Sequence, residues 1–216
     1  TNSATNQWVP IEYTGSYGTN GFYQKYSATE LAASFTDSAE RSVLTVTANG
    51  NAHTDTTVKK IGTASLQLDG TGDYLSLPDN AFVIGTGDFT MEAWFKFDGT
   101  PGTFSSFFNG GTGDSVTGQH WVLYYYTSAG AYWGWSDDGT ASSEWTSNWT
   151  YDSDWHHIAV CRQSGTYRFY LDGSQQTSST SGGSQDLSAA TTNFKVGSGY
   201  GDFGGYMDEV LKQKEK

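Results

Sequence analysis

The chain has 216 residues, of which 27 are glycine and 16% are aromatic, and it carries a net charge of −12. Between Ile61 and Cys161 the only positive side chain is Lys96, so the surface repels nucleic acids and anionic membranes. No run approaches the ~18 apolar residues of a membrane-spanning helix. The chain's single cysteine excludes a disulfide within it.

The first 34 residues differ in composition from the rest. The segment from Gln7 to Tyr23 is rich in glycine and aromatic residues, and Pro10 argues against a central strand there. We therefore predict an N-terminal arm over residues 1–34 and a globular domain over residues 35–216.

Short runs that alternate between apolar and polar residues predict strands in the globular domain. The first is Val43 to Ala48, and Ser65 to Asp69 follows it. In Phe89 to Phe97 the apolar side chains share one face, while Glu92 and Trp94 lie on the other. Later strands are predicted at His120–Tyr126, Ala131–Trp135, His156–Arg162, Tyr167–Leu171 and Asn193–Val196.

Three sequence blocks, in this order, resemble the laminin-G-like, concanavalin A-like jelly roll. The first is the hairpin from Gly62 to Tyr74, which leads into D-F-T-x-E-x-W at Asp88. The second is W-H-H-x-A-V at Trp155, followed by Y-x-D-G at Tyr170, and the third is D-E-V at Asp208. The resemblance implies an all-β fold: a two-sheet antiparallel jelly-roll sandwich with an N-terminal arm.

The two ends of the chain are less regular than this family pattern. After Val210 the sequence turns to charged residues, so either the closing strand is short or the jelly roll is truncated. The arm resembles connector segments that precede jelly-roll modules in structural proteins of marine bacteriophages. A third alternative is that the arm adds a strand to a neighbouring molecule, which would make a homo-oligomer.

The sequence disfavours catalysis. Glycoside hydrolases with this sandwich need two carboxylates on one face, usually as E-x-D-x-E, and no such run is present. His156 and His157 are adjacent, so on a strand they face opposite ways, and no zinc-type spacing accompanies them. We therefore predict no catalytic residues.

The resemblance implies a structural calcium ion that ties the first strand to the last. The residues that best match those places are Asp37 and Asp208. Carboxylate oxygens together with loop carbonyls are the ligands that calcium prefers. Each of the two carboxylates could instead cap a turn.

Aromatic residues are crowded into one third of the chain, and sugar rings stack on tryptophan and tyrosine while carboxylates bind their hydroxyl groups. Those nearest to turns, together with two neighbouring carboxylates, are the predicted ligand-binding residues: Trp133, Trp135, Asp137, Asp138, Trp145 and Trp149. The alternative is that these rings fill the core between the sheets. Trp94, beside Glu92 on the polar face of its strand, is a second candidate platform.

Three functions remain open on this basis. The first is a non-catalytic carbohydrate-binding or adhesion module of an extracellular or virion surface, whose partner is a glycan. The second is a structural subunit of a virion or filament that makes protein–protein contacts through its sheets and arm. The third, and weakest, is a glycoside hydrolase or lyase. Because folds of this kind carry many functions, the family resemblance alone does not choose among them.

Overall fold

The structure is a computed structural model that describes residues 22–24, 35–36, 45–78, 84–111, 120–136, 143–146, 149–179, 183–187 and 194–214. Within these residues the fold consists of strands arranged in two antiparallel sheets, which confirms the predicted all-β sandwich. No described helix is long and apolar enough to span a membrane. Asp37, Asp137 and Asp138 lie outside the described residues.

The first sheet contains eight strands among the described residues. In order across the sheet they are Ser174–Ser179 (β14), Thr166–Leu171 (β13), His156–Gln163 (β12), Phe89–Phe97 (β7), Gly204–Lys214 (β16), Ser65–Asp69 (β5) and His53–Asp55 (β4). The eighth, Phe22–Gln24 (β1), pairs with the distal part of β16.

The second sheet also contains eight described strands. In order they are Ser143–Thr146 (β11), Gly130–Ser136 (β10), His120–Tyr126 (β9), Phe104–Gly111 (β8), Lys195–Val196 (β15), Tyr74–Ser76 (β6), Thr45–Asn49 (β3) and Phe35–Thr36 (β2).

The core lies between the two sheets and is largely aromatic. Phe95 and Phe97 on β7 face Phe107 on β8, with ring centroids 4.6 and 6.3 Å apart, and Phe203 closes the layer against all three. The alternation predicted for β7 is confirmed: its apolar residues are buried and the residues between them are partly exposed. Phe95 therefore packs inward, while its neighbour Trp94 lies on the outer face.

The closing strand is long, which excludes the alternative of a short closing strand. β16 pairs with β5 through its first four residues and with β7 along most of its length. A bulge follows Asp208, because Glu209 and Val210 together face a single residue of β7. Glu209 has a φ of 47°, which lies in the left-handed region that the G1 type of bulge uses. Beyond the bulge, β1 of the same chain pairs with Val210–Lys212.

Candidate ligand-binding groove

Two of the predicted ligand-binding tryptophans belong to the core. Trp133 and Trp135 are 0% and 2% exposed, so neither presents a ring face to a ligand, contrary to the expectation from the sequence. The physical reason is the alternation of β10, which directs Ala131, Trp133 and Trp135 inward. There Trp135 stacks on Tyr167 of the opposite sheet, with ring centroids 5.2 Å apart. The core-filling alternative holds for both residues.

The other predicted tryptophans are not brought together into a site by the described residues. Trp149 is partly buried and packs against the core, with its ring centroid 4.8 Å from that of His156 and 5.4 Å from that of Tyr125. Trp145 lies opposite Trp133 in the pairing of β10 with β11, and its side chain is outside the described residues.

A patch of aromatic side chains covers part of the outer face of the second sheet. Its members, which we call the tyrosine patch, are Phe104, Tyr124, Tyr126, Tyr132 and Tyr200. Tyr124 stacks on Tyr132 at an interplanar angle of 11°, and Phe104 on Tyr126 at 19°. Tyr124 is buried, and the stacking engages one face of each of these four rings.

A groove on the outer face of the first sheet is better formed. It encloses about 360 Å³ and runs across strands β7, β12 and β13. Its lining residues are Thr90, Glu92, Trp94, His157, Ala159, Cys161, Tyr170, Asp172 and Gly173. The volume lies at the small end of the range of about 300–1,000 Å³ that is usual for ligand sites.

The groove exists because of one small residue. Ala159 of β12 lies directly between Glu92 of β7 and Tyr170 of β13. Trp94 and His157 form the next cross-strand pair along the sheet. Large side chains therefore surround an alanine, whose methyl group forms the floor. Trp94, half-buried, forms one wall together with the His157 ring, at a centroid distance of 5.1 Å.

The two carboxylates of the groove are held in place by histidines. Glu92 Oε2 lies 3.4 Å from His157 Nε2. Asp172, in the turn after β13, accepts a hydrogen bond from the backbone amide of His157 at 2.8 Å and contacts His156 Nδ1 at 2.7 Å. Such fixed oxygen atoms suit the hydroxyl groups of a ligand.

His156 joins the groove to the adjoining loop. Its second ring nitrogen lies 2.8 Å from Asp152 Oδ1. Burial lowers the pKa of His156, but hydrogen bonds and charge from Asp172 and Asp152 outweigh this, so that its pKa is raised above the ordinary value. In turn, the hydrogen bond with His156 lowers the pKa of Asp152. The prediction that His156 and His157 face opposite ways is confirmed, since His156 contacts Phe95 and Trp149 of the core.

Asp208 lies next to the groove, directly before the bulge of β16, and it is 0% exposed. Its carboxylate accepts hydrogen bonds from the backbone amides of Lys60, Ile61 and Glu209, each at 2.9 Å. These donors present positive charge to both oxygen atoms, so the surroundings of Asp208 do not fit a calcium ion. No cluster of three or more His, Cys, Asp or Glu that could hold a metal occurs within the described ranges. Because Asp37 lies outside them, a calcium ion bound there stays a prediction.

The sequence contained a signal for this groove, although the predicted ligand-binding residues did not include it. Trp94 and Glu92 share the polar face of a strand whose other face is apolar, which left Trp94 as the second candidate platform. What the sequence did not reveal is that β12 and β13 bring His157, Tyr170 and Asp172 beside them, because strand neighbours depend on sheet order.

The chain belongs to the concanavalin A-like lectin/glucanases superfamily, whose laminin-G-type family model matches residues 69–211. No curated protein sequence matches the chain.

Solved structures confirm the fold. Domain 4 of AbnA, a GH43 extracellular arabinanase from Geobacillus stearothermophilus, solved in complex with arabinotriose, is similar at 17% identity and a TM-score of 0.66. The match covers 89% of this chain and 91% of that one. The binding domain of Paraclostridial Mosquitocidal Protein 1 gives 10% identity and a TM-score of 0.69, covering 90% of this chain and 48% of that one.

A third similar structure is the Ruminococcus gnavus IT-sialidase CBM40 bound to alpha2,3 sialyllactose, at 12% identity and a TM-score of 0.56. The match covers 69% of this chain and 88% of that one. At these identities the likeness concerns the fold alone.

Proposed function

We propose that the chain is a non-catalytic carbohydrate-binding module that holds a saccharide in the groove of the first sheet. The observation that carries the proposal is the groove itself: an aromatic wall at Trp94, a second aromatic residue at Tyr170, and fixed carboxylates at Glu92 and Asp172 around an alanine floor. A sugar presents apolar C–H faces to the rings and hydroxyl groups to the carboxylates.

The similar structures support a binding role. The CBM40 was solved with sialyllactose, and the arabinanase domain with arabinotriose. By the same comparison we propose that the module acts outside the cell. A virion surface stays a prediction that rests on the resemblance of the arm and the domain together to structural proteins of phages.

A glycan array tests the proposal, with Trp94→Ala as the site variant. Tyr132→Ala in the tyrosine patch is the matched control, because it truncates a partly buried outer-face ring on the opposite sheet. We expect the wild type to bind at least one saccharide class, Trp94→Ala to lose that binding, and Tyr132→Ala to retain it.

The opposite outcomes are also informative. Loss with Tyr132→Ala and retention with Trp94→Ala would move the site to the tyrosine patch and leave the function standing. A blank array from the folded wild type would overturn the carbohydrate-binding proposal and favour a structural subunit.

A further inference from the structure

Two cationic side chains flank the groove of a chain that is otherwise strongly acidic. The whole chain contains 11 Lys and Arg residues against 23 Asp and Glu residues. Lys60 and Arg168 nevertheless both border this groove, Lys60 at Trp94 and Arg168 opposite Cys161, and neither has a carboxylate within ion-pair distance in the part of the chain that the structure describes.

Lys60 covers the aromatic wall. Its Nζ lies 4.4 Å from the ring centroid of Trp94. The Lys60 backbone is held in this position, because its amide donates to the buried carboxylate of Asp208. The side chain itself is exposed and flexible, so its ammonium group can move to the edge of the ring when a ligand stacks there.

Arg168 lies at the other end of the groove. It is on the same face of β13 as Tyr170 and directly opposite the groove residue Cys161. Its Nη1 atom is buried and has no hydrogen-bond partner among the described residues. A buried donor without a partner destabilises a protein, and because the Arg168 side chain as a whole is partly exposed, a turn of its guanidinium toward the groove would bring this donor to an acceptor supplied by a ligand.

The carboxylates of the groove contact histidines rather than these two cations. Glu92 faces His157, and Asp172 is engaged by His156 and by the backbone amide of His157. Lys60 and Arg168 therefore remain available to an anion, and their charge favours a ligand that carries one.

On the basis of the proposed function, we infer that the groove binds an acidic saccharide whose carboxylate groups pair with Lys60 and Arg168. The sugar ring stacks on Trp94. The two cations lie at diagonally opposite corners of the groove, Lys60 at Trp94 on β7 and Arg168 on β13. Along β7 the groove extends from Trp94 to Thr90, four residues or about 13 Å, and β13 lies about 10 Å across the sheet from β7. This separation fits an oligosaccharide with more than one acidic group rather than a single sugar.

An array of paired oligosaccharides tests the inference. Each uronate-containing and each sialate-containing oligosaccharide is printed beside its carboxyl-reduced counterpart, which keeps the sugar chain and removes the charge. The two arms distinguish the two sources of carboxylate. We expect the acidic member of a pair to bind about tenfold more tightly than the reduced one, as for a charge-assisted hydrogen bond.

Three variants test whether Lys60 and Arg168 cause this preference. Lys60→Gln and Arg168→Gln should each reduce this acidic preference, without weakening binding of the reduced member. The matched control is Lys59→Gln, which removes the same charge from an exposed neighbour whose Nζ donates to the Thr56 carbonyl. A purely structural role for Arg168 would weaken both members of a pair equally.

Equal binding of acidic and reduced members would overturn the inference and leave the proposed function standing. An acidic preference that survives both Gln variants would also overturn it. If no saccharide of either kind binds, the proposed function falls together with the inference.

Discussion

Trp94 and Trp133 are the same type of residue in neighbouring sheets, yet the structure gives them opposite roles. Each lies on a strand, and the direction of its side chain follows from the alternation of that strand. Trp94 alternates with the buried residues of β7 and lies on the outer face, whereas Trp133 is one of the buried residues of β10. Their contributions to stability should therefore differ.

We predict that Trp133→Ala lowers the free energy of unfolding by about 3–5 kcal/mol, the usual range for a large core side chain. Trp94→Ala should lower it by only about 1 kcal/mol, since its ring is partly exposed and loses mainly the contacts with Lys60 and His157. Urea denaturation followed by far-UV circular dichroism measures both. Equal losses would contradict the placement of Trp133 in the core.

The single residue Asp208 should make the stability of the fold depend on pH. Burial raises the pKa of Asp208 from 3.8 to about 6, in spite of the three backbone amides that donate to it. The folded state therefore holds a proton on Asp208 at pH values where the unfolded state has lost it. By linkage, this group stabilises the fold most below pH 4, and its contribution declines as the pH rises from about 4 to about 6.

We expect the decline to amount to about 3 kcal/mol, since one pKa unit corresponds to about 1.4 kcal/mol. Denaturant midpoints measured between pH 4 and pH 7 check it. Asp208→Asn is the control: it cannot titrate, so the part of the pH dependence due to Asp208 should disappear. An unchanged pH profile in this variant would assign the dependence to other groups.

At the scale of the element, β16 shows where the alternation of apolar and polar residues stops predicting the fold. The strands with clean alternation, β7 above all, were predicted with their buried faces. The bulge in β16 breaks the alternation, so that Met207 and Val210, three residues apart, are both buried. Nothing in a pattern of period two reveals such a shift in advance.

Strand β8 shows a second limit of predicting strands from the sequence. Its six central residues are all buried, because the core covers one face of the strand and the segment around Tyr200, whose amide donates to Ser106, covers the other. A strand that is covered on both faces has no alternation to detect, and β8 was not predicted. Only part of the groove was predicted. Trp94 and Glu92 come from one strand, but their partners come from two other strands whose position in the sheet the sequence does not reveal.

Strand β1 yields a prediction about the arm. Phe22–Gln24 pairs with Val210–Lys212 of the same chain, and removing it leaves that part of β16 without this partner. Deletion of residues 1–30 should lower the free energy of unfolding by about 1–3 kcal/mol through the lost strand hydrogen bonds. Deletion of residues 1–21, which keeps β1, is the control, and the 1–30 deletion should be the less stable of the two variants.

Equal stability of the two deletion variants would contradict pairing of β1 with β16. The same variants test the predicted homo-oligomer. If the arm links neighbouring molecules, light scattering should show a larger mass for the wild type than for the 1–30 deletion.

At the scale of the whole molecule, both sheets contribute to one core. Phe95 and Met207 of the first sheet and Trp121 and Trp133 of the second belong to a single buried cluster. Neither sheet could lose its partner without exposing this aromatic interior to water.

We therefore predict a single cooperative thermal transition. Tryptophan fluorescence, which includes the buried rings of the second sheet, and far-UV circular dichroism, which reports on both sheets, should give the same midpoint. Two separated midpoints would mean that the sheets unfold independently, contrary to a shared core.

The single cysteine of the chain, Cys161, has a practical consequence because it lines the groove and is partly exposed. A thiol-reactive reagent can attach at only one place in the protein, and that place borders the position proposed for a bound saccharide. The rate of this alkylation would thus serve as a built-in footprint of occupancy, read by mass spectrometry without any engineered tag. A saccharide that fills the groove should slow the modification, whereas one bound at the tyrosine patch should leave it unchanged.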